Sequence, residues 1–264
     1  MPTFTSDGLT IAYDDLPPPG APERTVVLVH GYTSNRKEGW RRTGWYTAFE
    51  RRRMRVIALD QRGHGESEKL YDPAAYTRDR LAGDLLALMD HLGVGRADLF
   101  GYSMGTRTVL EAAIRAPDRV SNLILGGVGA RMLEARPPGA GSGLAEAMLA
   151  EDVGAIADVN LRNFRRFADI QGEDRKALAA CAQAPNIPLD PAALAALPMP
   201  VLVVAGDLDD GASDPEGLAA AFPHGRGVVL PGCDHVSAIP HASTKATVFD
   251  FLDGLLDDPF PNPF

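Results

Sequence analysis

Six short apolar runs punctuate the chain. Val26-Val27-Leu28-Val29 stops abruptly at His30-Gly31, and comparable runs fall at 55–59, 97–100, 123–125, 201–205 and 227–230. They are rich in β-branched residues and do not alternate with polar ones, as in strands buried on both faces of a parallel sheet. Between the runs, apolar positions recur at helical spacing. Leu81, Leu85, Leu88, Met89 and Leu92 do so ahead of Gly93, which sits where a helix C-cap is needed. Val109, Leu110, Ala113 and Ile114 precede Pro117, and Val248, Phe249, Leu252, Leu255 and Leu256 make a last stripe. This alternation predicts an α/β fold on a doubly wound, mostly parallel sheet. The opening segment Leu9-Thr10-Ile11-Ala12-Tyr13 alternates better, and is expected as an antiparallel edge strand.

One stretch breaks the rhythm. From 131 to 197 no strand-like run occurs, and helical patterns take over: Leu144, Met148 and Leu149, then Leu161, Phe164, Phe167 and Ala168, then Leu178. Asp190-Pro191 opens a further helix, with Asp as N-cap and Pro at the first position. The expected organisation is a core formed by 1–130 and 198–264, with 131–197 inserted as a helical lid. The bland alternative is a long crossover of ordinary packing helices. On the lid reading, Phe164 and Phe167 are candidates to line a substrate pocket; otherwise they pack against the sheet.

Composition narrows the function classes. The chain has 264 residues, 45% of them apolar, enough to bury a core without staples. Its 26 basic and 35 acidic residues give a net charge of −9, which argues against nucleic acid as a partner. The basic clusters at 51–53 and 162–166 are short and neighboured by acids, so they read as solvated helix faces. Two cysteines, Cys181 and Cys233, are too few for a disulfide framework and lack metal-ligand spacing. The N-terminus lacks the order of a secretion signal, and no apolar run approaches membrane-spanning length. A cytoplasmic enzyme without a membrane partner is the expectation.

The chemistry gathers where the runs end. Gly101-Tyr102-Ser103-Met104-Gly105 stands directly after the run at 97–100 and before a helical pattern. A nucleophile at such a strand-to-helix turn takes a strained backbone, with flanking glycines making room. Serine needs a base. Of six histidines, His91, His224 and His241 fall in helical or turn positions, and His30 and His64 in Gly-rich loops. His235 follows the final run, at the carboxyl end of the sheet where sites of such folds assemble. A carboxylate must orient it, and Gly206-Asp207-Leu208-Asp209-Asp210-Gly211 offers three. A calcium loop is excluded on spacing, since positions five and twelve from Asp207 are Gly211 and Leu218.

The order serine, aspartate, histidine, from Ser103 to His235, resembles the α/β-hydrolase superfamily. Within it the similarity is to the small esterase, cofactor-free haloperoxidase and carbon–carbon hydrolase branch. His30-Gly31-Tyr32 is similar to the family's oxyanion-hole motif, and Asp60-Gln61-Arg62-Gly63-His64-Gly65-Glu66-Ser67 to its D-x-R-G-x-G-x-S loop. The resemblance implies an oxyanion hole from the backbone amides of Tyr32 and Met104, and scaffold roles for Arg62 and His64. The family's G-x-x-D spacing selects Asp209 as the acid, with Asp207 and Asp210 still open. It further implies hydrolysis of a small carboxylic ester or lactone by Ser103, His235 and Asp209, with no cofactor and no metal. Perhydrolases and carbon–carbon hydrolases share these residues, and some members of the fold are receptors with little turnover.

Overall fold

A computed structural model describes residues 1–134, 139–185 and 187–257. Each apolar run is a strand: β3 (Arg24–Val29), β4 (Met54–Leu59), β5 (Ala97–Tyr102), β6 (Val120–Gly126), β7 (Val201–Gly206) and β8 (Gly225–Leu230). Two further strands, β1 (Thr3–Ser6) and β2 (Leu9–Leu16), precede them, and the described sheet runs β1-β2-β4-β3-β5-β6-β7-β8. From β4 to β8 every pairing is parallel, with Val26 beside Val56 and Asp98, and Leu125 beside Val203.

The expectation for the opening segment needs correcting. β2 is antiparallel as expected, pairing with β4, but it is not the edge. β1 lies outside it, joined by a hairpin whose two turn residues, Asp7 and Gly8, both have positive φ (51° and 76°). That is the geometry a two-residue turn needs to follow strand twist, and Asp-Gly is a sequence suited to it. The four residues of β1 are too few to advertise a strand by their pattern.

Within each central strand, successive side chains enter different cores. Val27, Val29, Leu99, Leu123, Leu125 and Val203 face one layer, which holds Leu85 and Leu88 of α2 (Arg78–His91) and Val109 and Leu110 of α3 (Met104–Arg115). Val26, Leu28, Phe100, Ile124, Leu202 and Val204 face the other, with Phe49 of α1 (Trp45–Arg51) and Val248 and Phe251 of α9 (Ala242–Leu252). These residues are 8% exposed or less, which explains why the central runs do not alternate. The run of β8 departs from the expectation of burial on both faces, because that strand ends the described sheet and leaves Val229 exposed.

Between β6 and β7 the chain forms α4 (Ser142–Leu149), α5 (Val159–Gln171), α6 (Arg175–Ala182) and α7 (Pro191–Ala195). Ala145, Met148, Ala168, Leu178 and Ala179 make a small core shared by α4, α5 and α6. Met132, Leu189, Leu194 and Leu197 instead belong to the main core, so the part that packs on itself is narrower than 131–197. α8 (Pro215–Ala219) returns the chain to β8. No helix of the described residues is long and apolar enough to cross a membrane.

Candidate active site

β5 ends in a sharp turn. Ser103 has φ 53° and ψ −116°, a conformation that a residue with a side chain keeps only when its surroundings impose it. The surroundings do so through backbone contact. A Cβ on Gly105 would run into the carbonyl of Val29, and one on Gly101 into the carbonyl of Gly105. The amide of Ser103 donates to the carbonyl of Gly126 (2.8 Å), and α3 begins at the next residue. The hydroxyl therefore stands at the carboxyl ends of the strands, beside the amino end of a helix whose dipole favours negative charge.

His235 meets it from the loop after β8. Ser103 Oγ lies 3.0 Å from His235 Nε2, and Asp209 Oδ2 lies 2.6 Å from His235 Nδ1. Asp209 is buried, while the His235 ring keeps a third of its side-chain surface exposed. With Nδ1–H donating to the carboxylate, Nε2 is left to accept the serine proton. The two neighbouring aspartates go elsewhere. Asp207 Oδ1 accepts from the amide of Gly232 (2.7 Å) and so ties this loop to the next, whereas Asp210 opens the short helical turn Asp210–Ala212.

Tyr32 and Met104 flank Ser103, and both send side chains to the insertion. The Tyr32 hydroxyl donates to the carbonyl of Leu178 (2.8 Å), and the Cys181 thiol donates to Met104 Sδ (3.7 Å). The loop of Tyr32 is close to Ser103, since a Cβ on Gly31 would fall 3.2 Å from Ser103 Cβ. Phe164 packs edge-on to the Tyr32 ring, with centroids 6.2 Å apart, and joins the small core of the insertion. Phe167, the other aromatic expected here, is half-buried one turn further on and is not part of that cluster.

The loop 60–67 bolts this assembly down. Arg62 makes a two-pronged ion pair with Asp84 (2.7 and 2.8 Å), both side chains being buried. The His30 ring accepts from the amide of Gln61 (3.0 Å), and burial, with His64 beside it, holds it well below the ordinary imidazole range. His64 is pushed down to about 4, chiefly by burial. Both rings are thus neutral packing elements. Glu173, between α5 and α6, accepts from Asn35 Nδ2 (2.9 Å) and from the amide of Gly65 (2.8 Å). Burial pushes its carboxyl up. It clips the insertion to the loops around Ser103, and nothing in the hydrophobic pattern marks it. Among the described residues no cluster of three or more His, Cys, Asp or Glu side chains could hold a metal.

Residues 24–148, which carry Ser103, match a family model described as the alpha/beta hydrolase fold. A solved enol-lactonase from Burkholderia xenovorans LB400 superposes over 96% of this chain and 100% of its own, with a TM-score of 0.81 and 26% identity. The chain has the fold of the α/β-hydrolase superfamily. Among curated relatives, the chain is 43% identical over 100 residues to a dihydrolipoyllysine-residue acetyltransferase component of an acetoin cleaving system from Pseudomonas putida. That match covers 38% of this chain and 25% of the relative. It is 40% identical over 81 residues to 3-oxoadipate enol-lactonase 2 of Acinetobacter baylyi, covering 31% and 30% respectively. The chain thus spans only a quarter to a third of the length of these two curated relatives.

Proposed function

We propose that this α/β hydrolase is a serine hydrolase that cleaves a small carboxylic ester or lactone through an acyl-enzyme. The observation that carries the proposal is the hydrogen-bonded line from Ser103 Oγ through His235 to Asp209. Along it the serine proton passes to Nε2 as Oγ attacks the carbonyl, while Asp209 holds the tautomer and stabilises the imidazolium. His235 then returns the proton to the departing alkoxide. Water repeats the sequence on the acyl-enzyme and frees Ser103. The amides of Tyr32 and Met104 would stabilise the tetrahedral oxyanion, at about 3 kcal/mol each. The likeness to enol-lactonases supports the ester-or-lactone class. The helices of the insertion act as a lid over this site, and the two free, buried cysteines fit a reducing cytoplasm.

Ser103→Ala tests the reading. Turnover of a short-chain chromogenic ester should fall by about 10⁴–10⁶-fold with an unchanged melting temperature. Activity near wild type in a clean preparation of that variant would remove the basis of the proposal.

A further inference from the structure

The sheet order poses a mechanical problem. Ser103 follows β5 and His235 follows β8, with β6 and β7 between the two strands. At 4.7–4.9 Å per strand the base loop starts roughly 14 Å from the nucleophile. Bonds to the neighbouring strand secure its near side: Asp207 accepts from Gly232, and the amide of Leu208 donates to the carbonyl of Cys233 (3.0 Å). Its reach back to β5 is bridged by Tyr102. The Tyr102 hydroxyl donates to the carbonyl of His235 (2.7 Å), and its ring lies 5.5 Å from the imidazole centroid.

The ring crosses the end of β6, and the residues there give it passage. A Cβ on Gly126 would stand 2.7 Å from Tyr102 Cδ2, and one on Gly127 would stand 2.7 Å from Cζ. Two consecutive glycines therefore form the channel in which the phenol lies, and it is 3% exposed. We infer that Tyr102 is a positioning residue, whose hydroxyl fixes the height of His235 over Ser103. This rests on the serine-hydrolase reading and adds to it a residue that acts through the backbone of the base. Burial, with Asp209 next in effect, pushes the phenol well above its ordinary range, so it stays a donor at any pH where the enzyme works.

The test compares the full chain with Tyr102→Phe and with para-aminophenylalanine in place of Tyr102, which keeps a donor. Tyr102→Phe should lower kcat for a chromogenic ester about tenfold while KM stays within about twofold. The melting temperature should fall by no more than about 2–4 °C, the scale of one lost hydrogen bond, and the amine analogue should restore most of the rate. In a His235→Ala background, Tyr102→Phe should cost nothing further, because the hydroxyl acts through His235. An unchanged kcat, or an equal loss without His235, would overturn the inference. If Tyr102→Phe does not fold, the amine analogue decides: near-native turnover supports the inference, and a tenfold loss with the donor kept overturns it. Ser103→Ala, run alongside, separates the two readings. Turnover retained there sinks the serine hydrolase itself, whereas an inactive Ser103→Ala beside a fully active Tyr102→Phe sinks only the positioning role.

Discussion

At the scale of single residues, the acidic loop after β7 shows what local sequence leaves open and geometry separates. Asp207, Asp209 and Asp210 are chemically alike and follow one strand, yet only Asp209 lies against His235, while Asp207 caps the backbone of the neighbouring loop. Asp209→Asn should therefore lower turnover by on the order of 10⁴, because His235 loses the partner that fixes its tautomer. Asp207→Asn should instead cost about 1 kcal/mol of stability and leave the chemical step nearly intact. Turnover and melting temperature of both variants check this, and the reverse pattern would reassign the acid. Ser103 and His235 were legible because each follows a strand that announces itself. Tyr102 was not, since the position before the serine in the elbow motif accepts many side chains and its partner is a main-chain carbonyl 133 residues away.

At the scale of elements, the helical patterns of the insertion were readable but their destinations were not. Periodicity marks Phe164 and Phe167 alike, being three residues apart on α5. Only Phe164 reaches Tyr32, because the choice depends on how α5 rolls against α4 and α6, a tertiary matter. The lid reading then predicts an asymmetry. Phe164→Ala should change the ratio of kcat/KM between short and long acyl esters by about tenfold, the scale expected of a few methylenes in a pocket. Phe167→Ala should leave that ratio alone. Matching effects from the two variants, or a loss of stability without a change in preference, would favour simple packing. The β1–β2 hairpin escaped the sequence for a different reason: its signal is the Asp7-Gly8 turn, not the four residues it pairs.

At the scale of the whole molecule, the two cores and the buried loop 60–67 make stability depend on keeping His64 neutral. Its ring titrates near 4 when folded, against 6.5 for an ordinary imidazole. Between these values the unfolded chain binds a proton that the folded one refuses, so stability is fully present above pH 6.5 and is lost as pH falls towards 4. The difference amounts to roughly 3 kcal/mol. Glu173 and Asp60, both raised by burial, act in the opposite sense. The informative measurement is therefore a comparison: urea midpoints at pH 7 and pH 5 should differ less in His64→Gln than in wild type. Equal differences would mean that His64 does not titrate this way.

The chain order of the strands also sets a schedule for becoming active. β1 to β6 can pair among themselves, with Ser103 already in its turn, before the insertion is crossed. Its partners arrive later, on the loops of β7 and β8, and the contact between Ser103 and His235 closes a loop of 132 residues. Such distant closures come late in folding. On the proposed chemistry, a half-assembled sheet holds an inert serine, and the nucleophile is switched on only by the last strands to dock. Catalysis is then a clock for the end of folding, lagging behind the signal of the helices and strands that come before it.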